Sequence, residues 1–370
     1  MQKIITSIVT NPAKSKMKSC DKVHLSDLES NLWGMHIKLD LDFLDKLLKS
    51  SSKNKNYFID KGFVSKIGCG YNKNRKRCLT FYTWFNKGKA MSFLTLSKII
   101  KLSNYSFDGM EKYVVAVAFG RTGKKVFIKF PIEINKGLGN IVGHILGDGS
   151  IGRRDKAVFY SNSNIELLKE FRNHMKSIFG IEPRIWVQEK PNFGKTKWMK
   201  RIPELREIPN GHNVGLFYPK VCGVILQAIF GKFANGKHKC ITEQIKNSNK
   251  QFKIGLLRSF FDDEGSVSCD SYTIRYHQDK KDILEDIRIL LKYFDIAPNE
   301  IRSYLKKNKE RYYLNITGFK EYHRLYNLIG CTSSRKAEQF ELLINKVKNG
   351  KHLRYKYRDY LCRVTPTLLQ

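Results

Sequence analysis

Apolar positions along the chain change period several times, and the changes outline its elements. In MHIKLDLDFLDKLLKS, Leu41, Leu44 and Leu48 recur at helical spacing with Leu47 beside them, which predicts an amphipathic helix. CLTFYTWF (78–85) is rich in β-branched and aromatic residues and is predicted to be a strand. Leu94 to Leu102 predicts a short helix, Ser103-Asn104-Tyr105-Ser106 a turn, and a second helix is expected from Asp108. That outline is compatible with a DNA-reading helix-turn-helix, although ordinary helical pairs share it. VVAVAF and KKVFIKF flank Gly120-Arg121-Thr122-Gly123, a predicted hairpin turn.

Beyond residue 135 the pattern repeats itself. LGNIVGHILGDGS (138–150) and IGLLRSFFDDEGS (254–266) are both apolar helical stretches that run into an acid, a glycine and a serine. The acids are Asp148 and Glu264. Each stretch is followed by a strand, a helix, two strands and a closing helix: AVFYSNS, IELLKEFRNHMKSIFG, IEPRIWVQE, HNVGLFYP and PKVCGVILQAIFG in the first copy. The second copy reads YTIRYHQ, KDILEDIRILLKYFD, IAPNEIRSYLK, RYYLNIT and GFKEYHRLYNLIG. With a short strand just after Ser150 and Ser266, both copies become αββαββα units in an α+β protein. The expected organisation is a basic segment (1–35), an N-terminal module (36–135), a first half (136–250), a second half (251–346) and a basic tail (347–370).

The opening helices carry small residues four apart: Gly139, Gly143 and Gly147 in one, Gly255, Ser259 and Asp263 in the other. Such a stripe lets two backbones approach closely. A glycine-weakened buried helix without function is the bland alternative. If the helices pair, Asp148 and Glu264 meet where the helix C-termini add negative partial charge. Two carboxylates there call for a divalent cation with a preference for oxygen, Mg²⁺ first and Mn²⁺ as a substitute. The backbone carbonyls of Gly147 and Asp263 are expected to complete its shell, with Gly149 and Gly265 turning the chain out of each helix. The arrangement suits phosphodiester hydrolysis, with Lys195 or Lys197 in one half and Lys307 or Lys309 in the other supporting the developing charge.

Charge decides the partner. Lys and Arg number 68 against 34 Asp and Glu, a formal net charge of +34. A polyanion is the ordinary reason to hold such an excess, solubility alone being the bland one. The apolar fraction of 41% excludes a wholly disordered basic chain. A membrane surface would need an apolar stripe beside the basic one, and none is seen. The eight cysteines show no CxxC pair, which argues against zinc or redox chemistry and for reduced thiols. No signal peptide or membrane-length apolar run is present. The cytoplasm or nucleoid is the expected location, with an organelle left open.

NIVGHILGDGS and LLRSFFDDEGS resemble the two motifs of single-chain LAGLIDADG homing endonucleases, here with an extra N-terminal module. SNSNIELLKEFRNHMKSIFGI and LNITGFKEYHRLYNLIG resemble the family too, so the likeness covers about 136–346. It implies a pseudo-twofold pair of units, joined through the paired helices, whose sheets form a saddle over the major groove of double-stranded DNA. The family's metal-binding acids map onto Asp148 and Glu264. Candidate DNA contacts are Arg153, Arg154, Lys156, Arg184, Trp186 and Gln188, then Arg275, Tyr276, His277, Gln278 and Arg302, each weighed against a merely solvated face. Glu264 departs from the usual Asp, and His144, Leu146 and Asp263 also depart. His144 is expected to be packed or hydrogen-bonded rather than a ligand. The start at Met1-Gln2 and the end TPTLLQ lack the residues of a splicing frame, so a free-standing monomer is expected rather than an intein. The rival reading is a noncleaving binder on the same scaffold, an RNA-splicing maturase or a DNA-binding regulator. Cleavage requires the two acids close together and open, not capped by Lys or Arg.

Overall fold

The computed structural model describes residues 21–31, 34–52, 56–58, 60–72, 77–188, 198–205 and 212–349. In the N-terminal module a three-stranded antiparallel sheet has β1 (Met35–Leu39) between β2 (Met91–Ser92) and β3 (Val114–Phe119). Helix α1 (Leu41–Ser51) starts where the Asp40 carboxylate accepts from the N–H groups of Asp42 and Phe43. It buries Phe43, Leu44, Leu47 and Leu48, so the predicted stripe is shifted and Leu41 faces solvent.

Three expectations for this module are corrected. CLTFYTWF is a helix, α2 (Leu79–Phe85): Cys78, Phe81 and Trp84 are buried three apart while Tyr82 is exposed, a helical period inside strand-like composition. The second helix of the expected helix-turn-helix starts near Asp108 as predicted but is a single turn. After α3 (Phe93–Leu102), the turn from Phe107 to Met110 passes straight into the 3₁₀ turn Glu111–Tyr113, too short to lie along a groove. The hairpin after β3 reduces to a single bridge between Val117 and Val126.

The first half opens with α4 (Lys136–Leu146), followed by β4 (Gly149–Ile151), β5 (Val158–Asn162), α5 (Ile165–Phe179), β6 (Arg184–Gln188), β7 (Trp198–Ile202), β8 (Val214–Tyr218) and α6 (Lys220–Phe230). The second contains α7 (Lys250–Glu264), β9 (Gly265–Ser268), β10 (Thr273–Gln278), α8 (Lys281–Lys292), β11 (Ile301–Lys306), β12 (Lys309–Ile316) and α9 (Phe319–Arg324), then α10 (Ser334–Asn349). The antiparallel sheets are ordered β4-β5-β8-β6-β7 and β9-β10-β12-β11. The two orders coincide except that β7 adds an edge strand to the first, which the sequence reading did not anticipate. Both short strands leaving the opening helices are present.

Equivalent residues start equivalent helices. Asn135 accepts from Leu138 N–H at the start of α4, and Asn249 from Phe252 N–H at the start of α7. The strands alternate between a face packed on helices and an open one: in β6, Ile185 and Val187 are buried while Arg184, Trp186 and Gln188 are not. Helix α5 covers the first sheet with Leu167, Leu168, Phe171, Met175 and Phe179, and α8 the second with Ile283, Leu284, Ile287, Leu290 and Leu291. Each such side chain contributes about 1.5–3 kcal/mol on burial.

Candidate active site at the paired helix ends

Helices α4 and α7 pack backbone to backbone along their small residues. A Cβ on Gly139 would lie 2.0 Å from the Phe252 carbonyl oxygen, and one on Gly255 2.0 Å from that of Lys136. Ser259 Oγ donates to the Asn140 carbonyl at 2.9 Å and to the Gly255 carbonyl at 2.7 Å. The side chains at 139, 143, 255 and 259 are small because the neighbouring main chain fills their space.

This contact brings Asp148, just past the end of α4, and Glu264, the last residue of α7, to one cleft of about 730 Å³. Lys237, Lys239, Gln278, Asp279, Lys280, Lys309 and Arg311 also line it. Each acid meets an amide fourteen residues further on. Asn162 Nδ2 donates to Asp148 Oδ2 at 3.0 Å, and Gln278 Nε2 to Glu264 Oε1 at 3.4 Å. Among the described residues, no Lys or Arg is ion-paired with either carboxylate. Although Asp148 opens to solvent, the protein packed around it, then the charges of Asp263 and Glu264, push its carboxyl up to about 7. Burial likewise pushes Glu264 up to about 7, with Lys239 opposing and Asp263 and Asp279 adding.

Lys239, from the short hairpin Ala234–Asn235/His238–Lys239, was missed in the sequence. Its Nζ donates to the Gly147 carbonyl, so the carbonyl expected to complete a metal shell already holds a cation. Burial lowers its pKa, with Glu264 and Asp148 opposing. Lys336 does the same for the other helix, donating to the carbonyls of Phe261 and Asp262 at 2.8 and 2.6 Å. In both halves a lysine beyond the closing helix neutralises helix-end carbonyls. That shared placement was the available signal.

Beneath the cleft lies a buried polar network. The Asp263 carboxylate accepts from Tyr160 OH at 2.8 Å and lies 3.0 Å from His144 Nδ1. His144 Nε2 lies 3.4 Å from Glu170 Oε2. Burial alone would lower the His144 pKa, but Asp263 and Glu170 raise it to about 10. Against burial, His144 and His174 hold Glu170 well below the usual carboxylate range. Asp262 instead accepts from the N–H groups of Thr332 and Ser333, ahead of α10. The carboxylates of Asp148, Asp263, Glu264 and Glu170 thus gather at the helix ends with Lys239 and His144 among them, and Lys237, Lys280, Lys309 and Arg311 add positive charge along the cleft. The oxygen ligands at the helix ends suit a divalent cation. In the N-terminal module His24, Asp108 and Glu111 form a separate metal-capable group, with ligand atoms within 4.8 Å of one another. Its Glu111 already accepts from Leu25 N–H at 3.1 Å and meets His24 Nδ1 at 2.9 Å.

The other predicted residues divide. Lys195 and Lys197 lie outside the described residues. Lys309 lines the cleft but is ion-paired with Asp279, while Lys307 sits with positive φ at the tip of the β11–β12 turn. Gly149 and Gly265 are not left-handed, and a Cβ on Gly265 would lie 2.2 Å from the Phe261 ring; close packing, not the turn, requires a glycine there. Gln278 belongs to the acid site rather than to the sheet face. Tyr276, offered as a DNA contact, is wholly buried in the core.

Arg153 and Arg154 are exposed in the turn between β4 and β5, with Lys156 at positive φ beside them. Arg184, Trp186 and Gln188 share the open face of β6. On the second sheet the register aligns Arg275 with Asn315, His277 and Arg302 with Tyr313, and Tyr304 with Arg311 on one open face. Arg275 is fixed there, its Nε donating to Asn315 Oδ1 at 2.7 Å and its guanidinium 4.5 Å above the Tyr313 ring. Burial, then Arg275, Lys306 and Arg311, lower His277 to about 4, leaving it neutral at pH 7. No described helix is long and apolar enough to cross a membrane.

Residues 251–330 match the family model of a LAGLIDADG-like domain. Two curated relatives come from Methanocaldococcus jannaschii. The DNA-directed RNA polymerase subunit Rpo1C is 31% identical over 248 residues, 67% of this chain and 25% of that protein. The glutamine–fructose-6-phosphate aminotransferase is 26% identical over 234 residues, 62% of this chain and 19% of that protein. The chain therefore spans a quarter or less of these two relatives. Among solved structures, the homing endonuclease I-WcaI bound to its DNA recognition sequence aligns over 56% of this chain and 87% of its own at 16% identity, with a TM-score of 0.39. I-DmoI in complex with DNA and Mn aligns over 54% and 98% at 14% identity and a TM-score of 0.35. Full-length DUF199/WhiA from Thermatoga maritima aligns over 64% and 68% at 15% identity and a TM-score of 0.39. Residues 251–330, which include Glu264 and the strands of the second sheet, are thus similar to a LAGLIDADG-like domain.

Proposed function

We propose that the chain is a site-specific endonuclease of double-stranded DNA, working as a monomer whose two halves form a pseudo-twofold saddle over the major groove. The observation that carries this reading is the repeated pair at the helix ends: Asp148 with Asn162, and Glu264 with Gln278. Each strand of a duplex needs one attack, and two acid–amide pairs supply two centres. Divalent metal held at Asp148 and at Glu264, with the Asp263 carbonyl within the same turn, would polarise the phosphate and favour departure of the leaving oxygen. The protein's own residues do the rest. Asn162 and Gln278 orient the carboxylates, Lys239 brings positive charge to where a phosphate gains negative charge, and the basic open sheet faces hold the backbone and meet base edges. The matches to minor portions of two proteins of unrelated activity favour a portable module over a share in either activity.

The test is Mg²⁺-dependent cleavage of a randomised duplex library by purified protein, beside Asp148→Asn and Glu264→Gln. Discrete cuts that require Mg²⁺ and fall at least about 100-fold in both variants are the expected result. Specific binding without cutting, equal in all three proteins, would move the assignment to a noncleaving regulator, or to a maturase if RNA binds more tightly.

A further inference from the structure

The two halves correspond position by position at the acids, their amides and the tyrosines, and the correspondence breaks in the helix turn before the acids. Asp148 matches Glu264, Asn162 matches Gln278, and Tyr160 matches Tyr276, both tyrosines being wholly buried on the second strand of their halves. Asp263, however, matches Gly147, and His144 matches Phe260.

Asp263 belongs to the second motif but serves the first. Its carboxylate accepts from Tyr160 OH at 2.8 Å, Asn162 Nδ2 at 3.3 Å and the backbone N–H of Asp148 at 3.4 Å, and rests against His144. Gly147 makes room for it: a Cβ there would lie 2.6 Å from Asp263 Oδ2. No carboxylate returns the favour. Tyr276 OH, the counterpart of Tyr160 OH, is buried without a hydrogen-bond partner among the described residues. Among the described residues, the one side-chain hydrogen bond to the Glu264 carboxylate is the 3.4 Å contact from Gln278.

We infer that the side chains of Asp263 and His144 are positioning residues for the Asp148 centre, with no counterpart behind Glu264 among the described residues, so that the two strands of a bound duplex are cut at separately adjustable rates. The inference rests on the endonuclease reading. Both side chains have 0% exposure, so neither touches DNA or the reacting atoms. They act through Asn162 and the turn that carries Asp148. A partner one shell behind a reacting group typically changes activity by about 10–100-fold when removed. Here only one of two centres has such a partner.

The experiment is strand-resolved single-turnover cutting of an end-labelled duplex, selected from the library above, in Mg²⁺. Asp263→Asn removes the charge, and Tyr160→Phe is a gentler variant in case the first does not fold. Both are expected to slow one and the same strand by about 10-fold or more, so that nicked duplex accumulates. Duplex affinity, measured in Ca²⁺, stays as in the unaltered protein. Tyr276→Phe, which removes an unpartnered hydroxyl, leaves both strand rates unchanged. Equal slowing of both strands, loss of affinity in step with rate, or wild-type rates in a folded Tyr160→Phe protein each overturn the inference while leaving the endonuclease standing. Failure of the unaltered protein to cut any duplex removes both.

Discussion

At the residue scale, Asp148 and Glu264 hold their protons up to about pH 7, well above the usual carboxylate range. The folded protein therefore binds more protons than the unfolded chain between about pH 4 and 7. Stability must fall as pH rises through that window, because the fold is left with carboxylates that it disfavours. A divalent ion needs those same carboxylates ionised. Mg²⁺ or Mn²⁺ is thus expected to raise the melting temperature clearly at pH 8 and little at pH 6. Scanning calorimetry at both pH values, with and without metal, checks this; an equal rise at both would place metal binding at groups that do not titrate in this range, which excludes the His24 group as well, since Glu111 raises its imidazole above the ordinary value and it must also lose a proton to bind metal. The two acids were legible because each ends a repeated apolar helix and precedes a glycine. Lys239 was not, because it reaches Gly147 from a hairpin far along the chain, with nothing local to mark it. The role of Asp263 was equally hidden, since its partners His144 and Tyr160 lie in the other half.

At the scale of elements, the helix pair is the structural requirement beneath the chemistry. Gly255→Ala sets a methyl 2.0 Å from the Lys136 carbonyl oxygen, and Gly139→Ala mirrors it against Phe252. In an exposed helix a glycine-to-alanine change stabilises; here it must push the paired backbones away from each other. Each variant is expected to lose about 1–3 kcal/mol or more, read from urea midpoints, and the double variant to lose less than the sum because both relieve themselves by the same separation. Unchanged or raised midpoints would show that the backbones are not in contact. The stripe was readable because sterics at four-residue spacing leave a direct mark on residue type. Residues 78–85 misled for the opposite reason: their aromatic and β-branched content suits a strand, and only the burial of Cys78, Phe81 and Trp84 reveals the helix. Strand β7 escaped notice because an edge strand pairs on one side only and writes a weaker pattern than its neighbours.

At the scale of the whole molecule, a net charge of +34 favours a polyanionic partner but does not say how such a partner would be read. On the proposed reading, the second sheet would divide the two tasks. Arg302 is exposed on the open face, placed to meet a phosphate. His277 stands between Arg275 and Tyr304 with its imidazole neutral at pH 7, which gives it one donor and one acceptor and no charge to offer. The affinity of the chain for duplex DNA is expected to fall steeply with salt, and Arg302→Ala to reduce the slope of log K against log salt by about 0.9, one phosphate's worth. His277→Ala is expected to leave that slope unchanged while altering which sequences are selected from a random library. If His277→Ala flattened the salt dependence instead, the residue would be binding as a cation. The positive neighbours that hold its proton off in the free protein would then have to be neutralised by the DNA itself.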